Sequence, residues 1–356
     1  MKIIENIFGK GVVYEEQDIT GTIYFYCCAC MSLYAEALSW ANHPDNKQRT
    51  TPFSEADNII FLCCQVTDLA VLNDIKTIEK IKRAFPLKNF YVSGCLSQRF
   101  DIQLPLGARR LENLKCDGQF IQNNNYVHWQ RPFWVKHFDG SDSEFADGHL
   151  FRSSYPLRIG VGCKNKCKYC TIRIVRGDCY QVPLNVEEFK KALNVGKRIV
   201  LIADSPTKEQ IIECCELAHH ENIPISIRNI EPQVVIEIFD HLETMAGLGL
   251  LTVLHCPIQS GSPDVLGDMG RDVESTLNFI EKTTTLKPHT ILATNIIVDY
   301  KEFPNCDRKH YKFDYISWNP YWDGKWDRKK AEERFEYYIT NNSRYIGEQE
   351  KGGGKK

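Results

Sequence analysis

The sequence lacks a charge excess of either sign: 44 Lys and Arg stand against 46 Asp and Glu, a net charge of −2. A protein built to coat nucleic acid or to cling to an anionic bilayer takes its affinity from a large positive surplus, so both classes are disfavoured. A local basic face remains compatible with this balance. Long apolar runs are missing too, and no uncharged stretch reaches the roughly 18 residues that span a bilayer. The opening MKIIENIFGKGVVYEEQD has no apolar core followed by small residues, so it does not read as a signal peptide. With 43% hydrophobic and 25% charged residues, the composition is that of a folded globular chain. The expectation is a soluble cytoplasmic protein with no membrane partner.

What the chain has in abundance is cysteine, 15 in 356 residues. In a short secreted chain that number suggests a disulfide framework. In a long chain without a leader the thiols are expected to stay reduced, and metal or cluster ligation becomes the leading reading.

The length suits about two domains. In the first half, Thr22–Tyr26, Asn58–Leu62 and Asn89–Ser93 read as strands rich in β-branched and aromatic residues. Between them, 32–42 and 72–85 read as helices, the second with Ile75, Ile78, Ile81 and Phe85 on one face. This is a βαβ pattern with a parallel sheet. A polar stretch ending near Pro156 reads as a linker. Beyond it, strand-like runs at 156–160, 198–203, 223–227, 251–254, 290–298 and 315–318 alternate with helical patterns. That spacing suits a partial (β/α)6 barrel. The expected division is an N-terminal α/β domain over 1–150, a barrel over 151–335, and a helix end with a flexible tail over 336–356.

The strongest motif is Gly162-Cys163-Lys164-Asn165-Lys166-Cys167-Lys168-Tyr169-Cys170, directly after the first strand of the second half. Three thiolates on one short loop can take three corners of a cubane iron–sulfur cluster, leaving the fourth iron open to another ligand. The alternatives are a zinc site or three buried thiols. Structural zinc wants a fourth protein ligand, and no partner pair lies nearby in sequence.

A second set is spread along the chain. Cys28, Cys64 and Cys95 each follow one of the three N-terminal strands. C-terminal strand ends line one edge of a parallel sheet, where ligand sites form. One such cysteine reads as a small buried hydrophobe. Three on one edge read as a second cluster. Cys27, Cys30 and Cys63 lie close enough in sequence to stand as alternative ligands. Cys116, Cys179, Cys214, Cys215, Cys256 and Cys306 read as packing residues.

The CxxxCxxC loop with an aromatic before its last cysteine resembles the radical S-adenosylmethionine superfamily. Further segments resemble one branch of it, the radical methylthiotransferases. They are Ala56-Asp57 followed by apolar residues up to Cys63-Cys64, Ser93-Gly94-Cys95-Leu96-Ser97-Gln98-Arg99, Val175-Arg176-Gly177, and His255-Cys256-Pro257-Ile258-Gln259-Ser260-Gly261-Ser262 with Met269 and Arg271 beyond. They run in order over about residues 20 to 325. Glu36, eight residues after Cys28, matches the family's spacing and favours Cys28 as the first ligand.

The resemblance implies two [4Fe-4S] clusters, one on Cys163, Cys167 and Cys170 and one on Cys28, Cys64 and Cys95. It implies S-adenosylmethionine bound to the open iron of the first, cleaved by one electron to a 5′-deoxyadenosyl radical. The second cluster would carry a sulfide to be methylated and passed to a substrate radical. The electron would come from a donor such as a flavodoxin or ferredoxin. Tyr169, in the loop, and Asp204, Arg228 and Gln259, at later strand ends, are the candidates for binding S-adenosylmethionine.

The chain departs from the family at several places. Met31 stands three after Cys28 where Asn is usual, and Leu62-Cys63 replaces Asn-Thr. After Arg176-Gly177, the residues Asp178–Pro183 replace Arg-Glu-x-Ser-Arg-Pro, and the Gly-Phe-Pro-Gly-Glu turn is missing near 298–303. The family's small C-terminal β-barrel is expected to be absent. These departures touch substrate identity more than chemistry.

The leading expectation is methylthiolation of a tRNA adenosine beside the anticodon. The alternatives are methylthiolation of a protein or peptide side chain, and a non-catalytic iron–sulfur protein for electron transfer or binding. The stretch 126–138, with its aromatics and Arg131, Lys136 and His137, reads either as a base-stacking surface or as a domain-packing segment.

Overall fold

The structure is a computed structural model of the full chain. It describes all residues except 29, 115–119, 123, 130–153, 178, 197, 302–311 and 341–356. The polar linker, the tail, Cys116, Cys306 and most of 126–138 lie outside the described residues.

The chain divides into two compact units. The first comprises Met1–Asp142, Thr171–Asp178 and Gly324–Thr340, the second Ser143–Cys170, Cys179–Asp323 and Asn341–Lys356. Two segments from the second half of the sequence thus group with the N-terminal residues.

The first unit opens with an antiparallel hairpin, β1 (Lys2–Asn6) and β2 (Gly9–Val13). Its main sheet joins β3 (Ile23–Cys27), β4 (Asn58–Cys63), β5 (Asn89–Gly94), β6 (Ala108–Arg110) and β7 (Val127–Trp129) in the order β6-β5-β4-β3-β7. All four pairings are parallel. Every residue of β4 is buried, which is why it reads as a continuous apolar run rather than an alternating one. The helix Met31–Asn42 follows β3 and buries all its residues but Tyr34. The helix Asp68–Ala84 starts on Thr67, whose side chain accepts from the Ala70 amide as an N-cap. Against it lies the helix Arg328–Thr340, through Arg334–Asp68 at 2.7 Å and Arg328–Glu79 at 2.6 Å.

One ion pair in this unit is fully interior. Arg176 and Glu36 face each other with side chains only 2% exposed, Nη1 at 3.1 Å from Oε2 and Nη2 against Oε1. A buried pair offers little over an apolar replacement, but breaking it strands a charge at a cost of about 3–5 kcal/mol. Glu36→Ala is therefore expected to lower the urea midpoint strongly. The double replacement Glu36→Ala with Arg176→Met should recover part of the loss. Equal midpoints for wild type and Glu36→Ala would contradict this.

The second unit is a six-stranded sheet of β8 (Ser154–Arg158), β11 (Arg198–Ile202), β12 (Ile225–Arg228), β13 (Leu251–His255), β14 (Ile291–Val298) and β15 (Tyr315–Pro320). The strands are parallel neighbours in sequence order. Short β9 (Gly160–Val161) and β10 (Tyr180–Gln181) pair antiparallel beside it. Helices at Val186–Gly196, Lys208–His220, Pro232–Glu237, Phe239–Gly247, Pro263–Met269 and Val273–Leu286 connect the sheet strands. This is the (β/α)6 arrangement expected from the sequence, with its loops gathered at the C-terminal strand ends. Among the described residues no helix is long and apolar enough to cross a membrane.

Candidate iron–sulfur and S-adenosylmethionine sites

In the second unit the Cys163–Cys170 loop leaves the sheet through Gly162, whose φ of +83° favours glycine. The amide of Gly162 donates to Asp204 Oδ2 at 2.9 Å, so Asp204, two residues past β11, holds the base of the loop. Further along, the Lys168 amide donates to the Met269 carbonyl at 2.9 Å, and Lys168 Nζ lies 3.7 Å from Asp268. Tyr169 packs on Val265, Met269 and Tyr300, with its hydroxyl 3.5 Å from Arg271 Nη1. The loop is thus pinned at both ends.

Cys163, Cys167 and Cys170 are each half-buried, while Lys164, Lys166 and Lys168 between them are exposed. Burial pushes the Cys163 thiol up, and hydrogen bonds from the Asn165 amide and the Ser205 hydroxyl act in the opposite direction. By contrast Cys214, Cys215 and Cys256 are buried in the sheet-and-helix core, and that burial is the main cause that raises them.

The other candidates for S-adenosylmethionine lie at neighbouring strand ends. Arg228 closes β12 and is buried. Gln259 follows β13 in a left-handed conformation, φ +68°. Its amide donates to Asn295 and its carbonyl accepts from Ile297, both at 2.8 Å, bridging it to β14. A non-glycine residue held there costs about 1–3 kcal/mol, a strain that concentrates at ligand sites.

Two residues in this region have no role assigned from the sequence. His255 ends β13, buried, accepting the Asn229 amide on Nδ1 at 3.3 Å, so the proton sits on Nε2, 3.1 Å from Asn295 Oδ1. Arg271 pairs with Glu231 at 3.0 Å and donates to the Pro257 carbonyl at 2.8 Å. Their signal was position: polar residues at or beyond the C-terminal ends of barrel strands.

In the first unit β3, β4 and β5 lie side by side, and their register pairs Cys27 with Leu62 and Cys63 with Gly94. Cys28, Cys64 and Cys95 therefore each stand just past the last residue of adjacent strands. Cys27 and Cys63 lie inside the strands and are fully buried. The Cys28 amide donates to Leu62 at 3.1 Å, and the Cys64 amide to Asp74 Oδ2 at 2.7 Å. Gly94 has φ +79°, and a Cβ there would meet the Leu33 side chain at 2.9 Å and the Cys63 carbonyl at 3.0 Å. Only glycine turns the chain into Cys95 without displacing them. Beneath this edge Asp74 is buried, and that burial pushes its carboxyl well above the usual range.

Among the described residues no three His, Cys, Asp or Glu side chains converge on a point as they would around a single metal ion. A cubane asks for something wider, since each thiolate binds a different iron. Each set consists of thiols that form no disulfide, half-buried or at a sheet edge, and this donor chemistry fits such a group.

The Asp204 contact makes a local prediction. Asp204→Ala removes an acceptor of a charge-assisted bond, a type that contributes about 1.5–3 kcal/mol. Hydrogen exchange over 162–167 is expected to accelerate in that variant and to stay near wild type in Asp204→Asn. Identical protection in Asp204→Ala and wild type would contradict the assignment.

Residues 157–311 match the radical SAM superfamily. The chain is 26% identical over 274 residues to a probable threonylcarbamoyladenosine tRNA methylthiotransferase of Methanothermobacter thermautotrophicus, covering 70% of this chain and 63% of that one. It is 26% identical to a tRNA-2-methylthio-N(6)-dimethylallyladenosine synthase of Clostridium botulinum, covering 75% and 65%. It is 30% identical to a ribosomal protein uS12 methylthiotransferase of Clostridium perfringens, covering 69% and 61%. The chain spans less than two thirds of the length of each of these relatives. Among solved structures, the cobalamin-dependent S-adenosylmethionine radical enzyme OxsB aligns with a TM-score of 0.46 at 14% identity, covering 93% of this chain and 56% of that one. S-adenosylmethionine and [4Fe-4S] clusters are the cofactors that go with this family. These matches make the chain similar to the radical SAM superfamily over 157–311, and to curated methylthiotransferases of both tRNA and ribosomal protein over about 70% of its length.

Proposed function

We propose that this chain is a radical SAM methylthiotransferase that acts on a tRNA adenosine beside the anticodon. The observation that carries the reading is the pair of three-cysteine sets. One lies on a single pinned loop in the parallel-stranded unit, the other just past three adjacent strand ends in the N-terminal unit. An electron carrier has no use for a cluster iron without a protein ligand, and each set offers three thiols. When bound, the two clusters would supply an S-adenosylmethionine-derived hydrogen-atom abstractor and a sulfur donor.

The protein's own residues prepare the site. Asp204 fixes the loop through Gly162, and the Met269 carbonyl and Asp268 fix it near Lys168. Arg271, tied to Glu231 and Pro257, orients the Tyr169 hydroxyl. Tyr169, Asp204, Arg228 and Gln259 are proposed to contact S-adenosylmethionine. His255 is held as one tautomer by Asn229 and Asn295 and presents a fixed polar wall. We place the enzyme in the cytoplasm with a flavodoxin or ferredoxin as its reductant, in keeping with the absence of disulfides among the described cysteines.

The ribosomal-protein relative supports a second reading, in which the substrate is a protein or peptide side chain. Salt separates the two. With a net charge of −2, RNA affinity has to come from a local face such as the exposed Lys164, Lys166 and Lys168. About three phosphate contacts would make tRNA binding fall roughly 20- to 40-fold between about 50 and 200 mM salt. A peptide held by shape and hydrogen bonds would respond far less. Tight, salt-insensitive binding to a protein, with no measurable affinity for tRNA at low salt, would promote the second reading. Mass spectrometry of bulk tRNA and of peptides, from cells with and without this chain, tests the function itself.

A further inference from the structure

The segment Thr171–Asp178 continues directly from Cys170, yet it groups with the N-terminal unit. Three side chains of that unit hold it. Gln65 Nε2 donates to the Thr171 hydroxyl, Asn113 Nδ2 donates to the Val175 carbonyl at 2.8 Å, and Glu36 takes Arg176. The first contact is the telling one, because Gln65 follows Cys64 and Thr171 follows Cys170.

Gln65 is buried, and its amide has its orientation fixed from behind. Oε1 accepts from Arg99 Nη1 at 2.9 Å. Arginine has no acceptor, so the amide oxygen must face it and the NH2 must face Thr171. Arg99 itself is fully buried and bound to Asp101 at 2.8 and 2.6 Å and to the Gly324 carbonyl. It directly follows the turn Cys95–Gln98. A continuous hydrogen-bonded chain, Asp101–Arg99–Gln65–Thr171, buried at Arg99 and Gln65, therefore joins residues that lie just beyond Cys95, Cys64 and Cys170. None of these four side chains is a thiol, and a merely space-filling role would not require a polar chain with every link satisfied.

We propose that Gln65 is a positioning residue: oriented by Arg99, it fixes through Thr171 the backbone that carries Cys170. This inference rests on the cluster assignment proposed above. Hydrogen-bonding groups one step out from a ligand set its orientation, and their loss typically costs about 10- to 100-fold in metal affinity or activity.

The test uses the full chain, reconstituted anaerobically and reduced, as wild type, Thr171→Val, Gln65→Leu and Gln65→Glu. Thr171→Val keeps the side-chain shape and removes only the hydroxyl. Gln65→Glu keeps an acceptor for Arg99, and the Thr171 hydroxyl can turn to donate to it. Iron content and thermal unfolding midpoint are expected to stay near wild type in Thr171→Val. The S-adenosylmethionine concentration needed for half of the change in the cluster's electron paramagnetic resonance spectrum should rise about tenfold in Thr171→Val and Gln65→Leu. It should return towards wild type in Gln65→Glu. Variants indistinguishable from a responsive wild type would overturn this inference alone. A reconstituted wild type whose spectrum ignores S-adenosylmethionine would remove the cluster assignment and this inference with it.

Discussion

Replacing Cys163, Cys167 and Cys170 together by Ala is expected to halve the iron of the reconstituted protein, from about eight atoms to about four. It should also abolish 5′-deoxyadenosine formation. The three thiols share one loop, pinned at Gly162 by Asp204 and at Lys168 by the Met269 carbonyl, so removing the thiols leaves the loop's anchors in place. The fold should survive, because all three cysteines are only half-buried and create no core cavity when truncated. Unchanged iron in the triple variant would dismiss the loop as a cluster site. Halved iron with undiminished 5′-deoxyadenosine would assign reductive cleavage to the other set.

The complementary triple variant, Cys28, Cys64 and Cys95 to Ala, is expected to behave differently. It too should lose about half its iron, but it should still cleave S-adenosylmethionine when reduced. Product carrying a methylthio group should disappear. Two of these three cysteines are buried, so some loss of stability is expected here, and a thermal unfolding curve has to accompany the assay. Cys27 and Cys63 end β3 and β4 fully buried, the Cys63 thiol hydrogen-bonded with Cys28 and Asp74, and replacing either is expected to leave the iron count unchanged. A methylthio product from the triple variant at the wild-type rate would remove the second set from the mechanism.

The parallel strands of both units were legible in the sequence because buried parallel strands are continuous apolar runs. Asn58–Cys63 and Arg198–Ile202 were read within one residue of their ends for that reason. The hairpin Lys2–Val13 is not legible in the sequence, since its short strands mix exposed and partly buried residues, with Val13 alone fully buried. The cysteines stood out because strand-end position and spacing are linear properties. Gln65 and Asp74 did not, because a polar side chain that is buried looks the same in sequence as one that faces water. The pairing of Arg176 with Glu36 spans 140 residues, and only the fold brings them together. Gln259 was picked for its strand-end position, but its left-handed backbone is a property that no residue type announces.

On the proposed function this chain puts sulfur and a methyl group together onto an unactivated carbon. That function is tested most directly by supplying reconstituted, reduced protein with methyl-labelled S-adenosylmethionine and bulk tRNA, then digesting the RNA for mass spectrometry. The expected product is a labelled methylthio-adenosine whose formation requires both cysteine sets. Labelled methyl on RNA without sulfur, or 5′-deoxyadenosine with no sulfur-bearing product in either RNA or a peptide pool, would contradict that function.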